Sequence, residues 1–300
     1  MSLLYIFFFI TGAIVGSFLN VVIDRIDTGE SIIKGRSYCS FCRKKLSWWE
    51  LIPIFSFFAL KGKCFSCKQK ISCQYPIVEF LTALFFILAV WRFFRFPFSG
   101  SLVFSAFQVF RLEYIFVYLN FLFWFYWVCV FIVIAAYDFK KYLILNEVLL
   151  PAIGLSLLWK IISGFLLSIK AFHFFPQTFL LLGSESYLFG NYSYFTSLFL
   201  GIIFSCGFIS LLVFLTKEKA MGWGDAILAF FIGVILGWPE AVIALIIAFL
   251  TGSAVAIVLM LFRKKTLKSY LPFAPFLSLG ALSILFLGDI IIKGYLSLLF

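Results

Sequence analysis

The chain has 300 residues, of which 64% are hydrophobic and 12% are charged, and its mean hydropathy is +1.13. Soluble domains carry about 25% charged residues, so this composition excludes an ordinary soluble protein. The net charge of +11 would suggest a nucleic-acid partner in a soluble protein, but in a membrane protein Lys and Arg mark the cytoplasmic loops. We therefore expect an all-α polytopic membrane protein that contacts membrane lipids and binds no nucleic acid.

Eight stretches are apolar and long enough to cross a bilayer, which takes about 20 helical residues. They are residues 3–23, 77–94, 115–137, 144–168, 195–216, 222–238, 239–262 and 273–292. The N-terminus lacks a basic segment before its apolar run, so we expect residues 1–23 to be retained as the first transmembrane helix.

The distribution of basic residues predicts the orientation. With the N-terminus outside, the cytoplasmic stretches are 24–76, 138–143, 217–221 and 263–272, and they hold 18 of the 24 basic residues. The reverse orientation would place these charges outside, against the positive-inside rule. The sequence thus predicts a first transmembrane helix (1–23), a small cytoplasmic loop domain (24–76) and a membrane domain with seven further spans (77–300). Residues 169–194 become an outer loop.

The cytoplasmic loop contains two CxxC pairs, Cys39/Cys42 and Cys64/Cys67, with 21 residues between the pairs. Each CxxC forms a tight turn, and two such turns complete a tetrahedral four-cysteine site for Zn²⁺. Disulfides do not persist in the reducing cytoplasm. A loop this short buries little apolar surface, so a metal would supply its missing stability. The alternative is that the four cysteines are free or redox-linked.

Asp138 and Asp225 are boundary acids that the predicted topology places at the same depth, near the cytoplasmic surface. Acids at this depth are costly and are therefore functional candidates. Two carboxylates within hydrogen-bonding reach share one proton, so the ionised one can take a proton from water while the protonated one polarises a peptide carbonyl. Gly222 and Gly224 lack side chains and would let a substrate backbone approach.

The same residues also fit other roles. Asp138 could lie in the headgroup layer beside Lys140 and Lys141, and Asp225 could cap a helix. Glu79 has the same predicted depth, so the three acids could instead line an ion pathway in a transporter or channel. A third possibility is a non-catalytic assembly factor whose zinc loop docks a cytoplasmic partner.

Several motifs together resemble the type IV prepilin peptidase family. They are the first-span segment 16–25, the cysteine-loop segments 36–53 and 61–79, the sequence Gly222-Trp223-Gly224-Asp225, which matches the family's G-x-G-D, and the last-span entry 271–277. The resemblance covers most of the chain from residue 12 to residue 281.

The resemblance implies a GxGD-type membrane aspartic protease with its active site facing the cytoplasm from the bacterial inner membrane. Such an enzyme cleaves the leader of type IV prepilins or related pseudopilins after a glycine, and often then methylates the new N-terminus with S-adenosylmethionine. The resemblance carries catalysis to Asp138 and Asp225 and metal binding to the cysteine tetrad, and it makes residues 77–300 the peptidase domain. It names no residues for S-adenosylmethionine.

Three positions depart from the family pattern. Leu145 stands where the family usually has proline, Ile227 where a lysine is common, and Ala274 where a glycine is usual. None of these changes removes a catalytic carboxylate, but Ile227 could alter the surroundings of Asp225. The outer loop 169–194 is also longer than is typical.

Overall fold

The computed structural model describes residues 2–26, 29–32, 34–95, 112–168, 194–219, 221–262 and 271–299. These residues form nine α-helices: α1 (Ser2–Arg25), α2 (Phe55–Ala59), α3 (Gln74–Arg95), α4 (Leu112–Lys141), α5 (Asn146–Ser168), α6 (Tyr194–Thr216), α7 (Trp223–Leu236), α8 (Glu240–Leu261) and α9 (Ala274–Leu299). A 3-10 turn, Trp48–Leu51, precedes α2. No strand occurs in these ranges, so the predicted all-α fold is confirmed.

Seven of these helices are long and apolar enough to span a membrane: α1, α3, α4, α5, α6, α8 and α9. The predicted sixth span is present as α7, but α7 has only 14 residues. At 1.5 Å per residue it is about 21 Å long, shorter than the hydrocarbon core of about 30 Å. The turn at Gly237, whose φ is +76°, ends the helix before the apolar sequence does.

The α7 helix is an internal helix of the protein. Ten of its residues are buried, from Asp225 to Leu236. A helix that is apolar on every side is suited to a protein interior as well as to a bilayer. Hydropathy therefore predicted this helix and overestimated its length.

The chain divides into two compact units, and the first consists of Met1–Ser105 and Phe121–Ala136. In this unit α1 packs closely against α3. A Cβ atom added at Gly12 would lie 2.7 Å from Cα of Ala83, and one added at Gly16 would lie 2.7 Å from Cα of Glu79. Glycine in α1 thus allows the two helix backbones to approach, and this contact positions the loop that joins them.

The second unit consists of Ala106–Asn120 and Tyr137–Phe300, and it contains α7 together with α5, α6, α8 and α9. Glycines bring α6 and the end of α7 together: a Cβ atom at Gly201 would lie 2.5 Å from the carbonyl carbon of Gly237. Gly233 is similarly close to Ser205. This packing fixes α7 and hence the first turn of α7, which carries Asp225.

Two predictions about domain organisation stay predictions. The division of the chain at residue 76 into a loop domain and a membrane domain is one of them. The outer loop is the other, because residues 169–193 lie outside the described residues.

Candidate active site and metal site

The cysteine loop contains two turns with the same backbone pattern. In the first, the N–H of Cys39 donates to the carbonyl of Lys44 at 3.0 Å, and the N–H of Arg43 donates to the carbonyl of Cys39 at 2.9 Å. The second turn repeats both bonds around Cys64, at 2.9 and 3.0 Å. Arg43 and Lys68, which follow the second cysteine of each pair, have φ values of 58° and 57°. The sequence carries a signal of this repeat, because residues 39–47 and 64–72 share the pattern C-x-x-C-[RK]-x-K-[LI]-S, but the prediction rested on the CxxC spacing alone.

The two turns bring four thiols into one cluster. The Sγ atoms of Cys39, Cys42, Cys64 and Cys67 all lie within 4.8 Å of one another, and those of Cys39 and Cys67 are 3.9 Å apart. A tetrahedral zinc site with Zn–S bonds of about 2.3 Å needs sulfur–sulfur distances of about 3.8 Å. The donor set and its spacing therefore fit one metal ion after a small contraction. Cys73 lies outside this cluster.

The turn backbone changes the acidity of the thiols. The backbone N–H of Cys67 is the main cause of a pKa of about 7 for the Cys64 thiol. The backbone N–H of Gln69 lowers the pKa of Cys67, but desolvation and the neighbouring thiols of Cys64, Cys42 and Cys39 together raise it to about 11. The lowered pKa favours the Cys64 thiolate and the raised pKa disfavours the Cys67 thiolate, and a divalent cation beside Cys67 would favour its thiolate form.

Arg25 organises the start of the loop. It is the last residue of α1 and is 9% exposed. Its guanidinium donates to the carbonyls of Ser31 at 2.8 Å, Lys34 at 3.4 Å and Arg36 at 3.1 Å. These bonds satisfy a buried cation with backbone oxygens and fold the chain back towards α1 just before the first cysteine turn.

Glu79 connects the loop to the membrane helices of the first unit. Its Oε2 atom accepts a hydrogen bond of 2.6 Å from the backbone N–H of Ile54, and its carboxylate also accepts one from the side chain of Ser17. Ile54 has a φ of 63°, which is unusual for a β-branched residue. The sequence assigned Glu79 a place among the acids at the membrane face, whereas the described contacts give it a role in holding the loop.

Asp138 and Asp225 lie together in the second unit. Asp138 is in the last turn of α4 and Asp225 is in the first turn of α7. The two side chains are 5% and 9% exposed, and their carboxylates are close enough to interact electrostatically. The structure thus brings together two acids that are far apart in the chain.

A backbone N–H orients each carboxylate. The N–H of Ala274 donates to Oδ2 of Asp138 at 3.2 Å, and the N–H of Gly222 donates to Oδ2 of Asp225 at 3.3 Å. The second bond closes the first turn of α7, so Asp225 does cap a helix. Both bonds use the Oδ2 atom of the carboxylate.

The two glycines of the G-x-G-D sequence have different surroundings. Among the described residues, a Cβ atom at Gly222 would meet only the N atom of Gly224, two positions along the chain, at 3.9 Å. A Cβ atom at Gly224 would lie 3.0 Å from Cβ of Ile144. Gly222 therefore has the open space expected for a substrate backbone, whereas Gly224 allows α7 to pack against the segment that follows α4.

The departures from the family pattern are compatible with this geometry. Ala274 contributes its backbone N–H to Asp138, so its side chain leaves that bond unaffected. Leu145 precedes α5 and accepts hydrogen bonds there through its carbonyl, a role that a proline would also fill. Ile227 is half-buried in α7.

Two family models match consecutive parts of the chain. Residues 10–93 match the bacterial peptidase A24 N-terminal domain, and residues 123–257 match the type IV leader peptidase family. The chain belongs to the type IV leader peptidase family, peptidase A24. The first match contains the four clustered cysteines, and the second contains both aspartates of the second unit.

Curated relatives agree with the family models. The prepilin leader peptidase/N-methyltransferase of Myxococcus xanthus is 47% identical over 88 residues, which are 29% of this chain and 26% of the relative. The protein of the same name from Bacillus subtilis is 48% identical over 93 residues, 31% of this chain and 36% of the relative. These alignments span about a quarter to about a third of the relatives' length.

A longer alignment exists with the prepilin leader peptidase/N-methyltransferase of Legionella pneumophila, at 26% identity over 261 residues, 87% of this chain and 75% of the relative. No solved structure gives a significant match.

Proposed function

We propose that this protein is a membrane aspartic endopeptidase that cleaves the leader peptide of type IV prepilins or pseudopilins. The observation that carries the proposal is the pairing of Asp138 and Asp225, two buried carboxylates from distant helices that interact electrostatically. The names of the relatives supply the substrate class.

The two aspartates would hydrolyse the peptide bond as a pair that shares one proton. The ionised carboxylate takes a proton from a water molecule, and the water oxygen attacks the peptide carbonyl carbon. The protonated carboxylic acid donates to the carbonyl oxygen, which gives a tetrahedral diol. A proton then passes to the peptide nitrogen, the C–N bond breaks, and a carboxylic acid and a free amine leave. The shared proton belongs to the pair, so the roles are assigned to the pair and not to either residue.

The position of the pair suits a substrate that emerges from a membrane. Asp138 ends a predicted span, and Lys140 and Lys141 follow it in the same helical turn. The positive-inside rule supports a cytoplasmic location for this end of α4, at the face of the inner membrane. A helical carbonyl already accepts a hydrogen bond, so the substrate must unwind at the cleavage site. Gly222 offers the open backbone against which an extended segment could lie.

We also propose that the cysteine cluster binds one structural Zn²⁺ through Cys39, Cys42, Cys64 and Cys67. Four thiolates with this spacing suit a closed tetrahedral site, and bound zinc would hold the two turns together without taking part in hydrolysis. N-methylation of the new N-terminus with S-adenosylmethionine is proposed from the names of the relatives. No described residue is assigned to that cofactor.

The decisive experiment uses purified protein, a prepilin and mass measurement of the products. The wild type should release the leader, and Asp138→Asn and Asp225→Asn should each release it about 10²- to 10⁴-fold more slowly. Glu147→Gln is the matched control, because Glu147 is an exposed carboxylate in the first turn of α5 that follows the Asp138 segment. Cleavage by either aspartate variant at the wild-type rate would reject the peptidase assignment and favour an ion pathway or an assembly factor.

Methyl transfer is tested separately. In the same reaction, a labelled methyl group from S-adenosylmethionine should appear on the mature N-terminus. Cleavage without any transfer of label would remove the methyltransferase half of the proposal and leave the peptidase half intact.

A further inference from the structure

The segment between the two cysteine turns is unusually apolar for a loop outside the spans. Residues 46–60 contain one charged side chain, Glu50. Glu50 is 8% exposed, and its Oε2 atom accepts the N–H of Ser47 at 2.7 Å. The segment therefore presents no charged side chain to its surroundings.

Large apolar side chains of this segment are exposed. The exposed fractions are 77% for Trp48, 40% for Leu51, 38% for Ile52, 66% for Phe55 and 69% for Phe58. Large exposed apolar side chains this close together in the chain, on a segment without an exposed charge, indicate an interaction site. We call these five side chains the apolar face.

The exposure does not reflect a lack of structure in the segment. The intervening aromatic residues pack inward: the ring of Trp49 lies 5.3 Å from the ring of Phe65 in an edge-to-face arrangement, and the ring of Phe57 lies against Gly62. The segment thus has an inner side that contacts the second cysteine turn and an outer side that has no cover among the described residues.

A hydrogen bond fixes the depth of this segment. The N–H of Ile54 donates to Glu79, which lies in the second turn of the candidate span Gln74–Arg92. The neighbours of Glu79 on that span, Ile77 and Phe80, are 54% and 49% exposed, and a bilayer around the span would cover them. In that bilayer Ile54 would lie where α3 enters the membrane, and the apolar face would lie near the lipid-facing side chains of α3.

Basic side chains flank the segment on both sides. Arg43, Lys44 and Lys45 precede it, Lys61 and Lys63 follow it, and all five are exposed. An apolar face bordered by Lys and Arg is the pattern of segments that lie in the interface of an anionic bilayer. A bilayer accounts for both the depth set by Glu79 and the cationic border, whereas binding to a protein partner would not require the two in combination.

We propose that residues 46–60 form an interfacial anchor whose apolar face inserts into the headgroup region of an anionic lipid bilayer. The anchor holds the cysteine loop against the membrane surface, because one cysteine turn is attached to each end of the anchor. This inference does not depend on the proposed peptidase activity.

The test is photo-crosslinking of the full-length protein in liposomes that contain phosphatidylglycerol. Benzoylphenylalanine replaces Phe55 or Phe58, and in a matched control it replaces Phe41, which is 65% exposed within the first cysteine turn. After irradiation, mass spectrometry should find lipid adducts at positions 55 and 58 and background levels at position 41. Exchange of phosphatidylglycerol for phosphatidylcholine should lower the adduct yield.

Three results would overturn the proposal: no lipid adduct at position 55 or 58, equal adducts at position 41, or crosslinks between two copies of the chain in place of lipid adducts. A second measurement does not require benzoylphenylalanine. In nanodiscs, hydrogen exchange across residues 48–60 should become faster in Phe55→Ser/Phe58→Ser and stay unchanged in Phe41→Ser. Unchanged exchange in the double variant would also contradict the anchor.

Discussion

The cysteine loop and the aspartate pair are built in different ways. In the cysteine loop, each short turn places two thiols, and the hydrogen bonds that shape a turn join residues a few positions apart. At the aspartate pair, each carboxylate belongs to a different helix, and one of them takes its orienting bond from Ala274, far along the chain. The thiol cluster depends on local turn geometry, and on zinc if it binds the proposed ion, whereas the aspartate site depends on helix packing.

This difference predicts that the two sites can be damaged separately. Loss of a metal ligand should disorder the loop and leave the packing of α7 unchanged. Disruption of α6–α7 packing should disable the aspartates and leave the metal in place.

Removal of a metal ligand should have the largest effect. Structural zinc contributes on the order of 10 kcal/mol to the folding of small zinc domains, so Cys64→Ser should lose the metal and the protection of residues 34–73 from hydrogen exchange. Cys73→Ser is the control, since Cys73 is exposed and lies outside the cluster. Metal analysis and hydrogen exchange provide the measurement. A full complement of metal in Cys64→Ser would contradict the four-cysteine site.

Substitution of the aspartates should come next. Loss of a general acid or base costs about 10²- to 10⁴-fold in rate, so each of Asp138→Asn and Asp225→Asn should lower leader cleavage by that factor. Because the two residues act as a pair, the double variant should be no slower than the slower single variant. Metal content should stay at the wild-type value in all three. Multiplicative losses in the double variant would argue against a shared proton.

A valine at the α6–α7 contact tests the role of packing. Gly201→Val places a side chain against the backbone of Gly237, which has no flexible atoms to move aside. Overpacking of this kind costs about 1–3 kcal/mol, and we expect a lower melting temperature and reduced cleavage with normal metal content.

Gly207→Val is the matched control for this experiment. It makes the same change in the same helix, at a position where a Cβ atom meets nothing within 4 Å in the part of the chain that the structure describes. Equal destabilisation by the two valines would mean that helix propensity, and not the contact with Gly237, explains the loss.

The sequence could predict features that depend on local spacing or on charge. The CxxC spacing predicted the four-cysteine cluster, and hydropathy predicted the long helices to within about four residues, except that α9 continues seven residues beyond the predicted end at residue 292. The depth assigned from basic residues placed Asp138 and Asp225 near each other, because both lie at helix ends on one predicted side of the membrane. Each of these features could be predicted because its signal comes from residues that are close together in the sequence.

The sequence could not predict features that depend on contacts between distant residues. Hydropathy alone does not distinguish a buried core helix from a membrane span, so residues 222–238 were predicted as a span although α7 is a short, buried helix. The contact of Gly224 with Ile144 and the bond from Ile54 to Glu79 leave no pattern in the sequence. For the structural role of Arg25 the sequence did contain a signal. Arg25 is a cation at the end of a span, and α1 has no acid one turn away from it.

Within the first unit, the hydroxyl of Tyr75 on α3 donates to Oδ2 of Asp24 on α1 at 2.7 Å. Loss of this hydrogen bond should change stability less than any of the substitutions above. Tyr75→Phe removes the donor and keeps the ring, so it should lower the free energy of unfolding by about 1 kcal/mol. Tyr118→Phe, at a tyrosine that is 56% exposed, is the control and should change it little. Chemical unfolding in detergent measures both. If Tyr75→Phe also slowed leader cleavage several-fold without changing stability, the separation of the two sites would fail, because a contact within the first unit would then govern chemistry assigned to the second.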